Sequence, residues 1–174
     1  MNPGRIACKL VRYSGLPFLL REVVFRRATR IIVFHDPTVG SFERALAYLS
    51  SRYNIITLED HLSGRPLPPK PLVITFDDGH IRNHALLPVF RKAGIRPTFF
   101  LCAGLVGTRR RFWFLHAAEH GGSERLKVLT DEERLRTLAI TGFTPERAYD
   151  QPQALQFEHL EALAGQVDFQ AHGV

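Results

Sequence analysis

Apolar residues near the amino end fall at Leu16, Leu19, Leu20, Val23 and Val24, with Arg21, Glu22, Arg26 and Arg27 largely off that stripe. The three-and-four spacing predicts an amphipathic helix, with Pro17 in its first turn where a missing N–H is tolerated. "RIIVFHD" (Arg30–Asp36) predicts a short buried strand. Ser41–Tyr53 reads as a helix with Ser41 as its N-cap. "NIITL" predicts a short strand, and "EDHLSG" a helical turn ended by Gly64. The proline-rich "GRPLPPKP" can neither continue a helix nor join a sheet ladder. It leads into the strand Leu72–Phe76. Asn83–Gly94 reads as a helix that Pro88 bends or shortens and Gly94 closes. Arg96–Gly104 is a further strand. "RFWFLHAAEHGG" and "TDEERLRTLAI" read as helices, the second capped by Thr130 or Asp131. Residues 141–154 are polar and turn-rich, the pattern of a flexible connection. "LQFEHLEALAGQ" is a last helix and "VDFQAH" a last strand. Strand and helix alternate throughout, which predicts an α/β fold on a parallel sheet.

The 174 residues suffice for one domain with its own core. No apolar run approaches the roughly 20 residues of a spanning helix, and the first residues lack the long apolar centre of a secretory signal. Cys8 and Cys102 are too few for a zinc knuckle or a disulfide framework, so reduced thiols and a cytoplasmic location are expected. The net charge of +6 is unevenly held. Arg5, Lys9, Arg12, Arg21, Arg26, Arg27 and Arg30 face a single acid, Glu22, within residues 1–30, and the rest of the chain sums to zero. A neutral body argues against a nucleic-acid partner, which needs a basic face on the domain itself. The basic segment has two readings. It closes one end of the fold with its apolar stripe, or it makes a peripheral contact with an anionic membrane surface.

The chemistry concentrates in "LVITFDDGHIRNH", Leu72 to His84. Asp77 and Asp78 follow a strand that reads as buried, and two neighbouring carboxylates repel unless a cation or water meets them. Strand side chains alternate faces, so both can serve one site only if the strand breaks there; Gly79 supplies a break. One reading is an Asx-turn cap on the next helix. The other is a metal site, with one aspartate as ligand and one as base. In parallel α/β sheets ligands gather at the carboxyl ends of strands, where Asp77, Asp78, His172 and His35 all fall.

"TFDDG" resembles the first motif of the polysaccharide deacetylase family, carbohydrate esterase family 4. The order and approximate spacing of segments over Arg30–Thr108 are similar too, and "FEHLEALAGQVDFQAHGV" resembles the approach to the second motif. The resemblance implies an incomplete (β/α) barrel of the deacetylase type over residues 30–174, truncated within the second metal motif, after a basic amphipathic segment at 1–29. It implies Asp77 as catalytic base, and Asp78 and His172 as ligands of a divalent metal, most simply Zn2+. The reaction implied is removal of acetyl groups from an N-acetylated glycan. A second histidine ligand, due at position 176, and the general acid fall outside the chain, and Gly173 stands where Ser or Thr is usual. The chain is therefore expected to be a partial enzyme, inactive or close to it. Its alternatives are a non-catalytic binder of glycan or a partner, and a metal amidohydrolase for a small amide. An unclosed barrel would also leave an open sheet edge that invites pairing.

The other histidines read as structural. His80 and His84 are expected at a helix end or the surface. His159 falls on a predicted helix. His116 and His120, four apart in "HAAEH", lack the zincin order and read as a solvated helix face. Trp113 reads as core, and Arg109–Arg111 as a solvated turn.

Overall fold

The computed structural model describes residues 3–173. Five parallel strands form one sheet: β1 (Arg30–Phe34), β2 (Asn54–Ile56), β3 (Pro71–Phe76), β4 (Thr98–Cys102) and β5 (Asp168–Gly173). β1 lies along one edge of β3, Arg30 opposite Leu72 through Phe34 opposite Phe76. The other edge of β3 is shared. β2 takes its first half, at Pro71–Val73, and β4 its second half, at Thr75–Phe76. β5 continues the sheet beyond β4. Where β2 and β4 part, a cleft of about 520 Å³ opens between Leu58 and Glu59 on one side and Thr98, Phe100, Asp168 and Gln170 on the other.

Every residue of β3 is buried, as a central strand covered on both faces requires. Leu72, Ile74 and Phe76 face helices α3 (Val39–Ser50) and α5 (Leu87–Ala93), which contribute Phe42, Leu46, Leu49, Val89 and Phe90. Phe76 and Phe99 rings meet at 4.9 Å and Phe42 and Phe90 edge-on at 5.6 Å. Such pairs contribute about 0.5–1.5 kcal/mol each beyond area burial. β1 reads differently from its sequence. Ile32 and Phe34 pack on this core, but Ile31 and Val33 are 52% and 47% exposed. The outer edge of β1 has no partner strand among the described residues.

Several expectations need correcting. Thr38, not Ser41, caps α3; its hydroxyl accepts the Ser41 N–H at 3.3 Å. Pro88 does not bend a long helix but stands in the first turn of α5, after a separate 3-10 segment, Ile81–Leu86. That is where proline's missing N–H does no harm. Residues 141–154 are not a loose connection. Phe143 joins Leu126, Leu138 and Ala117 in a second small core under α6 (Trp113–Glu119) and α7 (Asp131–Ala139), and Ile81 N–H donates to Gln153 O. Trp113 packs on that core, with Arg134 over its ring. Of the two caps expected for α7, Thr130 is the one used, and Glu133 pairs with it reciprocally.

The amino-terminal segment is not one helix. α1 (Pro3–Tyr13) ends before Gly15, whose φ of 75° breaks the run, and α2 (Leu16–Leu19) passes into a π-helical turn, Leu20–Val24. Its apolar stripe does not close the fold: Leu16, Leu19, Val23 and Val24 are all exposed. The segment is tied to the body by charge instead, Lys70 Nζ lying 3.0 Å from Glu22 Oε2. No helix among the described residues is long and apolar enough to cross a membrane.

Candidate functional site

The β1–β3 ladder runs one bond past β3, Asp77 N–H donating to Phe34 O at 2.9 Å. This holds the Asp77 backbone in strand geometry with its side chain half-buried. The chain then turns. Asp78 and Gly79 both adopt positive φ, 67° and 72°. The break therefore starts at Asp78 itself, one residue earlier than glycine alone predicts. Aspartate is among the few side chains that tolerate this region. Gly79 is required for space as well as angle, since a Cβ there would stand 2.6 Å from Leu101 Cδ2. Asp78 O accepts from Cys102 N–H and Gly79 O from Leu155 N–H, so the turn is pinned to β4 and to the chain entering α8 (Phe157–Leu163).

Asp78 is 8% exposed. Its Oδ1 lies 3.5 Å from His172 Nε2 and 3.8 Å from Cys102 Sγ. Burial raises its carboxyl above the ordinary range, and nearby His35 and His172 only partly oppose this. The same burial, aided by Asp78, pushes the Cys102 thiol up to about 11. His172 reaches the site through an irregularity in β5. Leu101 pairs with Ala171 and Cys102 with Gly173, so His172 is the extra residue of a bulge. Bulges re-aim side chains in this way beside functional sites.

The pair fits one divalent ion. Two ligands of a tetrahedral ion with bonds near 2.0–2.1 Å stand about 3.3 Å apart, close to the observed 3.5 Å. A cation bound there would favour the ionised form of a carboxyl that burial otherwise raises. Asp77 stands next to this pair in sequence, but the three do not form a tight triad. Among the described residues, ligand atoms of three such side chains come within 4.8 Å of one another at His116, Glu119 and His120.

Two supporting residues carried no sequence signal. Asn83 is fully buried and donates from Nδ2 to His35 O at 2.8 Å, tying the exit of β1 to the segment after the Asp77–Asp78 turn. Arg82 pairs with Asp36 across the same two loops. His80 caps the 3-10 segment, its Nδ1 accepting Arg82 N–H, which agrees with a helix-end role. His84 lies against His159, which itself caps α8 through Gln156. His116 departs from expectation: it is 5% exposed, not on a solvated face. The fold turns that side of α6 inward over Phe143.

Residues 64–144 match the family model described as polysaccharide deacetylase. That match assigns a polysaccharide deacetylase segment to just under half of the chain. It contains Asp77 and Asp78, and ends before His172. A search of the curated proteins returned no match. Solved structures similar to this chain include a de-N-acetylase from Aggregatibacter actinomycetemcomitans, at 13% identity and TM-score 0.47 over 83% of this chain and 54% of that one. Others are IcaB from Ammonifex degensii, at 26% and 0.43 over 66% and 49%, and the BpsB deacetylase domain from Bordetella bronchiseptica, at 18% and 0.47 over 83% and 54%. The chain spans about half the length of each of these structures.

Proposed function

We propose that this chain carries the base and two metal ligands of a hydrolase that removes acetyl groups from an N-acetylated glycan. The observation that most supports this is the pairing of Asp78, in the turn after β3 and within the matched segment, with His172 of β5, a carboxylate and an imidazole spaced for one ion. Asp78 Oδ1 and His172 Nε2 would hold the divalent metal, with zinc the simplest choice for this donor set. When bound, the metal supplies a Lewis acid for the acetyl carbonyl. Asp77, fixed by its backbone bond to Phe34, would take the proton of the attacking water. Water oxygen would bond to the acetyl carbon, the proton taken up would pass to the amide nitrogen as the C–N bond breaks, and acetate and the free amine would result.

The test is acetate release from N-acetylglucosamine oligomers with added Zn2+, beside Asp77→Asn and Asp78→Asn. The reading requires Zn2+-stimulated release, however slow, that both substitutions abolish. Release insensitive to either overturns it. Binding of oligomer and Zn2+ without any acetate favours the non-catalytic alternative.

For the amino-terminal segment, we read the exposed apolar row and its arginines as a contact with an anionic lipid surface, such as the cytoplasmic leaflet. The exposure of Val23, at 64%, beside Arg21, Arg26 and Arg27 supports this over an inward-facing role.

A further inference from the structure

α6 stacks the His116 and His120 rings, centroids 4.2 Å apart and planes 21° off parallel. Each ring has one nitrogen engaged. His120 Nδ1 lies 2.8 Å from His116 O. A carbonyl only accepts, so Nδ1 carries the proton and Nε2 keeps its lone pair. His116 Nε2 lies 2.9 Å from Thr141 Oγ1, and that hydroxyl donates to Leu138 O at 2.8 Å. The Thr141 oxygen therefore accepts from His116 Nε2–H, leaving His116 Nδ1 as the bare nitrogen. That atom is buried and has no hydrogen-bond partner. Arg111 Nε, Arg134 Nε and Tyr149 OH are unmet as well, but His116 Nδ1 is the one whose lone pair lies among a neighbouring carboxylate and imidazole, which asks for an explanation.

Glu119, the last residue of α6, stands three residues after His116, and His120, its C-cap, four, about one turn on. One ligand atom from each lies within 4.8 Å of the other two. Thr141 holds His116 by the nitrogen that does not ligate, the usual orientation of an outer partner in a histidine–metal site. Glu119 has a competing contact, Arg111 Nη1 at 3.4 Å. That distance is long, and Arg111 also sits over the Tyr149 ring.

We propose that His116, Glu119 and His120 form a second metal site for a transition ion of the zinc, nickel or cobalt type, separate from Asp78 and His172. Two imidazoles and one carboxylate suit these ions and not calcium or magnesium, which take oxygen ligands. On binding, exposed His120 rotates out of the stack so that both lone pairs meet the ion, and Glu119 exchanges Arg111 for it.

Calorimetric Zn2+ titration of the full chain tests this, using Asp78→Asn to disable the other site. Glu119 and His120 are exposed, so Glu119→Gln and His120→Gln should leave the fold intact, checked by melting in chelator. The Asp78→Asn chain is expected to take up one equivalent of Zn2+. With Co2+ it should show visible d–d absorption. Adding His120→Gln should weaken uptake on the order of tenfold or more and remove the Co2+ bands. Failure of the Asp78→Asn chain to bind Zn2+ overturns the proposal. So does unchanged binding after both Glu119→Gln and His120→Gln are added. If wild type and Asp78→Asn bind the same single equivalent, and His120→Gln removes it, the second site stands and the Asp78–His172 site fails.

Discussion

His172 Nε2 approaches Asp78 Oδ1 to 3.5 Å because β5 carries one residue more than β4 at its carboxyl end. A bulge in β5 and a positive-φ aspartate in the turn after β3 together make the candidate centre. In metal-free protein, burial of Asp78 disfavours its ionised form. The carboxyl is raised in the folded state, so the folded chain holds its proton to higher pH than the unfolded chain does. Stability should therefore fall as pH rises from the ordinary carboxylate range through the raised value. Asp78→Asn removes this ionisation and keeps a side chain that tolerates positive φ. The metal-free variant should melt higher at neutral pH, by an amount on the order of 1 kcal/mol, while its Zn2+ uptake drops. A lower melting temperature in chelator would count against this account of Asp78.

Gly79→Ala combines a positive φ with a Cβ that meets Leu101 Cδ2. The Leu101 side chain can move at its end, so the loss should be moderate, roughly 1–2 kcal/mol in urea unfolding. A neutral result would mean that the turn relaxes freely.

Asn83→Ala leaves His35 O without its buried donor. The expected loss is about 1–3 kcal/mol. Zn2+ uptake at the Asp78–His172 pair should weaken if the loop after β1 helps to position that pair. Unchanged affinity in a folded variant would limit Asn83 to stability alone.

His80 is held below its ordinary range by burial, then partly restored by Asp36. A lowered folded value means stability is complete above the unfolded value and lost as pH falls through the folded one. Protonating Nδ1 also ends its cap on Arg82 N–H. His80→Asn keeps an N-cap acceptor and should flatten the fall in melting temperature just below pH 6.5, the ordinary histidine value. The same slope in both proteins would assign that limb to other groups.

Vesicles with anionic lipid should bind the chain at low salt and release it as salt rises, since the attraction is screened within about 10 Å at 0.1 M. Val23→Glu with Val24→Glu should abolish binding. Equal binding to neutral and anionic vesicles would remove the role given to the arginines.

Local features carried much of this in the sequence alone. β-branched and aromatic runs marked β1, β3 and β4, because strand preference is a property of short segments. "TFDDG" marked the turn, because consecutive aspartates before glycine have few structural uses. Thr130 marked a helix start, because a capping side chain acts within the first turn. Tertiary structure decided what depends on distant pairing. It gave β2 and β4 the same edge of β3, a matter of register that neither short strand encodes. It exposed Ile31 and Val33, apolar residues whose burial depends on a neighbour outside their own segment. It buried His116 against Thr141 and Phe143, twenty-five and more residues away. And it turned His172 toward Asp78 by a bulge that exists only once β5 lies beside β4.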